Sequence, residues 1–170
     1  MGHYGAVIAC VDGKWLPATI KLAKSLLSKS AIDLHSRPGS VRRFRPSGCA
    51  VTEEMISDLV FVSCGLHAVK DILVVKHWDC GDHGGSASFS SPEEELEIYL
   101  GDLRRSKEIL PGMINATIVK VMAVEPPEPV AVNLQTLLEQ GLRVRYAVFC
   151  PKDLQSPSPQ PEDCYPLMLK

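Results

Sequence analysis

The sequence contains no apolar run that approaches the roughly 18–20 residues of a membrane span. Its longest, Ile72-Leu73-Val74-Val75 and Leu59-Val60-Phe61-Val62, have the length of strand or helix cores, so no membrane partner is expected. Charge of one sign is not in excess either. The 18 basic and 20 acidic residues leave a net charge of −2, which argues against bulk electrostatic binding to nucleic acid or to an anionic surface. Cysteine is too sparse, six in 170 residues, for a disulfide scaffold. No basic, then long apolar, leader opens the chain, so no signal peptide is expected. The cysteines then read as thiols of a reducing cytoplasm, where Cys and His together suggest metal or catalysis. There is no internal repeat and no full Walker or dinucleotide phosphate loop, which argues against a flavodoxin-like nucleotide binder. What remains is ordinary globular usage, 45% hydrophobic and 22% charged. That excludes a disordered chain and suits one domain with a core of its own.

Short β-leaning runs alternate with helical spacing. Strands are expected at 5–10, 31–35, 71–76, 117–124 and 142–150. Apolar residues at Leu16, Ile20, Ala23, Leu26 and Leu27, with Pro17 in the first turn, predict a helix over 16–27. A second helix should run from Thr52 to about Gly65. A third starts at Ser91-Pro92-Glu93-Glu94, a capping serine, a proline and first-turn acids, and should stop at Pro111-Gly112. A short helix is expected over 134–139, closed by Gly141, after a rigid connector at 125–129. This alternation predicts an α/β fold with a mostly parallel central sheet flanked by helices. Residues 1–150 form the single α/β domain. Residues 151–170 hold five prolines and read as a mobile or surface-clamped tail.

Two motifs follow strands directly: Cys10-Val11-Asp12-Gly13-Lys14, and His77-Trp78-Asp79-Cys80-Gly81. In a parallel sheet both lie at the carboxyl edge, and two strands that flank the topological switch point bound the crevice where open α/β sheets bind ligands. Two cysteines and one histidine are borderline-soft donors that suit Zn²⁺. Three protein ligands leave a fourth position open, as in catalytic zinc sites. The expected ligands are Cys10, His77 and Cys80. Asp12 could accept a hydrogen bond from a bound water or coordinate the metal itself. His83 could be a further ligand or a proton shuttle, though a solvated loop position is the simpler reading. Arg37, Arg42, Arg43 and Arg45 form the one basic cluster. Cys64 reads as core, Cys49, Cys150 and Cys164 have no partner spacing, and Gly84-Gly85-Ser86 reads as flexible loop.

Cys-x-Asp-x-basic after the first strand, with His-x-x-Cys-Gly after a later one, resembles the β-class carbonic anhydrases. The segments Asp33–Gly39 (DLHSRPG) and 72–81 (ILVVKHWDCG) are similar to that family's as well, and the resemblance covers roughly residues 5–110. It implies a β-carbonic anhydrase-like sheet with a strand order 2-1-3-4 at its core. It also implies a zinc-dependent lyase that hydrates CO₂ reversibly to bicarbonate through a zinc-bound hydroxide. Cys10, His77 and Cys80 match the zinc ligands, and Asp12 matches the aspartate beside the bound water. Lys14 falls where the family has an arginine that holds the aspartate off the metal. A lysine offers a point charge where arginine offers a planar fork. Arg37 matches the arginine that ends the second strand, and bulky Trp78 replaces a smaller residue. The resemblance implies a cytoplasmic homodimer or higher homo-oligomer. Two alternatives stand beside it. One is a catalytically silent zinc-binding relative acting as an interaction module. The other is a hydrolase of another small linear molecule, carbonyl sulfide or carbon disulfide.

Overall fold

The β-leaning runs assemble into one five-stranded sheet in a computed structural model that describes residues 3–44, 50–123, 128–156 and 159–170. The strands are β1 (Tyr4–Ala9), β2 (Ala31–Ser36), β3 (Asp71–Lys76), β4 (Arg143–Pro151) and β5 (Cys164–Met168), in the order β2-β1-β3-β4-β5. The first four are mutually parallel, and β5 runs antiparallel to β4. The fold is therefore α/β with a mostly parallel sheet. Ala6, Val7, Ile8, Ile72, Leu73 and Val74 in the two central strands are fully buried, which is why these strands read as continuous apolar runs with no alternation.

Four α-helices are described: α1 (Leu16–Leu27), α2 (Ala50–Asp58), α3 (Pro92–Ala123) and α4 (Glu128–Gln140). A π-helical stretch, Leu59–Leu66, continues α2 without a break. α1 ends on Ser28 in the left-handed conformation, whose N–H caps the last turn. Among the described residues no helix is long and apolar enough to cross a membrane.

Two sequence expectations fail in α3. The helix does not stop at Pro111-Gly112, and residues 117–123 are helix where a strand was expected. Leu110, Ile114 and Ile118 are all buried, four residues apart. That stripe continues one helical face across the proline, and packing along it overrides both the break and the β-branched run that follows. Pro111 itself is exposed, and Thr117 bonds back to the Met113 carbonyl at 2.9 Å, as a helical threonine can. The fourth strand of the expected core order is consequently Arg143–Pro151. Residue 124 of the expected strand and 125–127 of the expected connector lie outside the described residues, and 128–129 open α4. The chain's last segment is ordered against the sheet, with β5 paired to β4 from Pro151↔Cys164 to Ala147↔Met168.

The chain passes from β1 to β2 on one side and returns to β3 on the other. β1 and β3 pair through Ala6↔Ile72, Val7↔Leu73 and Ile8↔Val74. Cys10 and His77 thus leave neighbouring strands at the same end, beside the switch point.

Candidate metal centre

Cys10, His77 and Cys80 converge at this edge, all three buried, with their donor atoms within 4.8 Å of one another. The two sulfurs stand 3.9 Å apart. Tetrahedral zinc with bonds of about 2.3 Å to sulfur holds two thiolates about 3.8 Å apart, so the spacing fits that ion. The ring of His77 fits it too. Its Nδ1 lies 2.7 Å from the Trp78 carbonyl oxygen, which can only accept, so Nδ1 carries the proton and Nε2 is bare. That Nε2 is buried without a hydrogen-bond partner among the described residues. An orphaned buried acceptor is costly, and a cation at the centre of the three donors would satisfy it. The carbonyl behind the ring is the usual outer partner of a metal-binding histidine. Trp15 stacks on the same ring at 5.2 Å and closes that side, backed by Phe149.

The two thiols are coupled. A hydrogen bond from Cys80 pulls Cys10 down to about 3 against the opposing effect of burial, and the neighbouring His77 side chain and the backbone groups of Asp12 and Gly39 help. Cys80 moves up, because it holds the shared proton and is itself buried. Neighbouring thiolates repel, and only a cation lets both ionise together.

No family model matches the chain. Two curated relatives, uncharacterized proteins of Rickettsia conorii and Rickettsia bellii, are 25% and 26% identical over 107 residues, 61% of this chain. Those stretches are 58% and 65% of the relatives, so the chain spans about three fifths of the length of the curated relatives it matches. Among solved structures, it is similar to a β-carbonic anhydrase of the fungal pathogen Aspergillus fumigatus. There the TM-score is 0.40 and the identity 15%, over 97% of this chain and 74% of that one. It is also similar to β-carbonic anhydrase isoform I of Trichomonas vaginalis, with a TM-score of 0.42 and 12% identity over 98% and 82% of the two chains.

Asp12 stands outside the donor cluster. Its Oδ1 accepts the backbone N–H of Lys14 at 3.0 Å, and its carbonyl accepts the N–H groups of Trp15 and Leu16 as α1 begins. The ammonium of Lys14 does not reach that carboxylate. It lies over the Trp15 ring, 5.5 Å from the centroid. The contact at position 14 is thus a main-chain one that any residue but proline can make.

His83 is neither solvated nor a ligand. Its side chain is 6% exposed, and its Nε2 sits 3.0 Å from Asp102 Oδ2 and 2.9 Å from Lys76 Nζ. The Gly84-Gly85-Ser86 loop is pinned, because the Ser86 N–H donates to Asp79 Oδ1 at 2.8 Å. Trp78 is buried edge-on to Tyr99, 6.0 Å between centroids. Arg42 and Arg43 both pair with Asp82, at 3.1 and 2.6 Å, and so tie the loop after β2 to the loop after Cys80. Arg37 bonds its neighbour's carbonyl and lies 3.9 Å from Glu54. Cys64 is buried, which lifts its thiol to about 12. Cys150 is buried in β4, Cys164 opens β5, and Cys49 and Arg45 lie outside the described residues.

The sequence reading missed Lys76, Glu95, Tyr99 and Asp102. Lys76 is 1% exposed, and its Nζ donates to the Gly39 carbonyl and to Asp102 Oδ2, both at 2.9 Å. Glu95 Oε1 accepts from the Asp79 N–H and the Tyr99 hydroxyl, and the Tyr99 oxygen accepts the Cys80 N–H at 3.0 Å. The available signal was a lysine ending an otherwise apolar strand, and polar residues at 95, 99 and 102 on one helical face.

Proposed function

We propose that the protein is a zinc-dependent, carbonic anhydrase-like lyase that interconverts CO₂ and bicarbonate, with Cys10, His77 and Cys80 holding the metal. The observation that carries this reading is the bare, buried Nε2 of His77 beside two sulfurs at tetrahedral spacing. Zinc held by two thiolates and one imidazole supplies Lewis acidity and an ionisable water near neutral pH. The chain's own part is positional. The Trp78 carbonyl fixes the His77 tautomer, and Trp15 fixes the ring plane. Asp12, two residues beyond Cys10, offers Oδ2 as the acceptor that orients the attacking water, while Oδ1 is held by the Lys14 N–H. The working form in this reading is a cytoplasmic homo-oligomer. Among the described residues β2 is an edge strand of the sheet, and its edge, where Leu34 is exposed, is a surface that invites pairing.

A second reading follows from position 14. With its ammonium over Trp15, Lys14 does not hold the Asp12 carboxylate by its side chain. With only the Lys14 N–H on its Oδ1, the Asp12 carboxylate would turn its other oxygen onto the metal and close the fourth position, which would give a zinc protein without hydratase activity. Metal analysis joined to a stopped-flow CO₂ hydration assay separates the two. About one zinc per chain with hydration lost in Cys80→Ser supports the lyase. Zinc without hydration, gained in Lys14→Arg, identifies position 14 as the cause, and zinc without hydration in either supports the silent relative. Unchanged zinc content in Cys80→Ser refutes the donor assignment.

A further inference from the structure

Three side chains of α3 belong to no donor set, yet each is buried and each reaches the turn that carries two of the donors or a residue flanking it. Glu95, Tyr99 and Asp102 are spaced by four and three residues, which sets them in a row along one side of the helix. They are 1%, 0% and 5% exposed. Burying such groups is unfavourable unless each is matched. Arg105 pairs with Asp102 and Tyr99 with Glu95 inside the helix, and the remaining matches lie on one short segment. Glu95 Oε1 takes the Asp79 N–H at 2.8 Å, and Tyr99 takes the Cys80 N–H at 3.0 Å. Asp102 takes the Lys76 ammonium at 2.9 Å and lies 3.0 Å from His83 Nε2. Residues 76, 79, 80 and 83 are thus all held from one helix face, before, between and after His77 and Cys80. Asp79 sits at φ +55, a left-handed conformation that a residue other than glycine keeps only when its surroundings hold it there.

We infer that Glu95, Tyr99 and Asp102 form a polar ladder that fixes the His77–Cys80 turn in its donor geometry before any ion arrives, and so sets how tightly metal is held. The inference rests on the metal-site reading above. These are positioning residues, because their contacts are with backbone N–H groups and flanking side chains. Their effect is preorganisation: the turn is ordered when the chain folds, so ordering is not charged against binding. The same Oε1 of Glu95 accepts from both Asp79 and Tyr99. A glutamine there keeps one oxygen to accept from both donors and removes the carboxylate, whereas Tyr99→Phe removes the acceptor for Cys80.

The test uses the full chain, stripped of metal and titrated with Co²⁺. Thiolate-to-cobalt absorption reads the donor geometry, and zinc affinity is measured against a chromophoric chelator. Tyr99→Phe and Glu95→Ala should weaken zinc by roughly 10–100-fold and shift the cobalt bands, while Glu95→Gln stays near wild type. Ile114→Val, buried on the same helix away from the turn, should lose stability and keep its affinity. Amide exchange on the metal-free chains gives a reading that needs no ion. The Asp79 and Cys80 N–H groups should be slow in wild type and fast in Glu95→Ala, even if Tyr99→Phe fails to fold. Equal affinity and equal exchange in all variants overturn the ladder while leaving the metal site intact. A wild type that binds neither cobalt nor zinc overturns the metal reading, and with it the ladder's claim on affinity.

Discussion

Replacing Asp102 by alanine would leave an ammonium sealed in the protein. Lys76 is 1% exposed and has three polar neighbours: the Gly39 carbonyl, His83 and the Asp102 carboxylate. Only the last carries negative charge. Removing one partner of a buried pair costs about 3–5 kcal/mol, mostly because the other charge stays behind unpaired. In a chain of this size each kcal/mol moves the midpoint by about 2–4 °C, so Tm should fall by roughly 6–20 °C. Lys76→Met should cost less, since Asp102 keeps Arg105 at 2.5 Å and His83 at 3.0 Å. The double variant Lys76→Met/Asp102→Ala should be more stable than Asp102→Ala alone. Urea unfolding of the four chains measures the coupling directly. The acid limb gives a second reading. Burial pushes the Asp102 carboxyl up, but hydrogen bonds from His83 and Lys76, with the Lys76 charge, outweigh it and hold the group below the usual carboxylate range. The unfolded chain therefore binds this proton more tightly than the folded one. The stability it contributes is complete above about pH 4 and is lost as pH falls from there toward the folded value. The stability of wild type minus that of Asp102→Asn should shrink across that window. Single and double variants that simply add, or a difference flat in pH, would refute the reasoning.

Gly39→Ala should destabilise by about 1–3 kcal/mol, seen as a lower Tm. The residue sits at φ +69, and a methyl there would press on the Asp82 carboxylate that binds Arg42 and Arg43. Pro111→Ala should raise Tm, because proline costs about 3 kcal/mol in a helix interior and Pro111 is exposed within α3; no gain would mean that the helix does not run through it. Truncation after Lys152 should keep the metal while lowering Tm, since it strips the paired strand β5 from β4 but removes none of the three donors. Loss of zinc on truncation would show that the segment supports the site.

How much was legible in the sequence varied with the range of the forces involved. α1 and β3 fall on the expected bounds, because a 3.6-residue apolar stripe and a buried apolar run are local signals. That Cys10, His77 and Cys80 come together was readable for the same reason: Cys10 and His77 stand directly after strands, and strand ends are local too. The second half of α3 was not readable. A Pro-Gly pair and the run over 117–124 speak for a break and a strand, while the decision comes from Leu110, Ile114 and Ile118, which are buried in the hydrophobic core. The setting of Lys14 escaped because a motif specifies residue types and not rotamers. Lys76, Glu95, Tyr99 and Asp102 escaped because each alone is an ordinary polar residue, and only the docking of α3 beside β3 turns them into one network.

The donors are separated very unequally along the chain. His77 and Cys80 belong to one turn, but Cys10 is 70 residues from Cys80. In the proposed site, an unfolded chain would therefore bring only His77 and Cys80 of these three residues close together, and the third bond would wait until β1 has slotted between β2 and β3. Metal bound by all three donors selects, by mass action, only chains in which that insertion is complete. The ion would then act as a latch on the central strand. Its removal should show first as easier opening of β1, a strand whose neighbours on both sides come later in the chain.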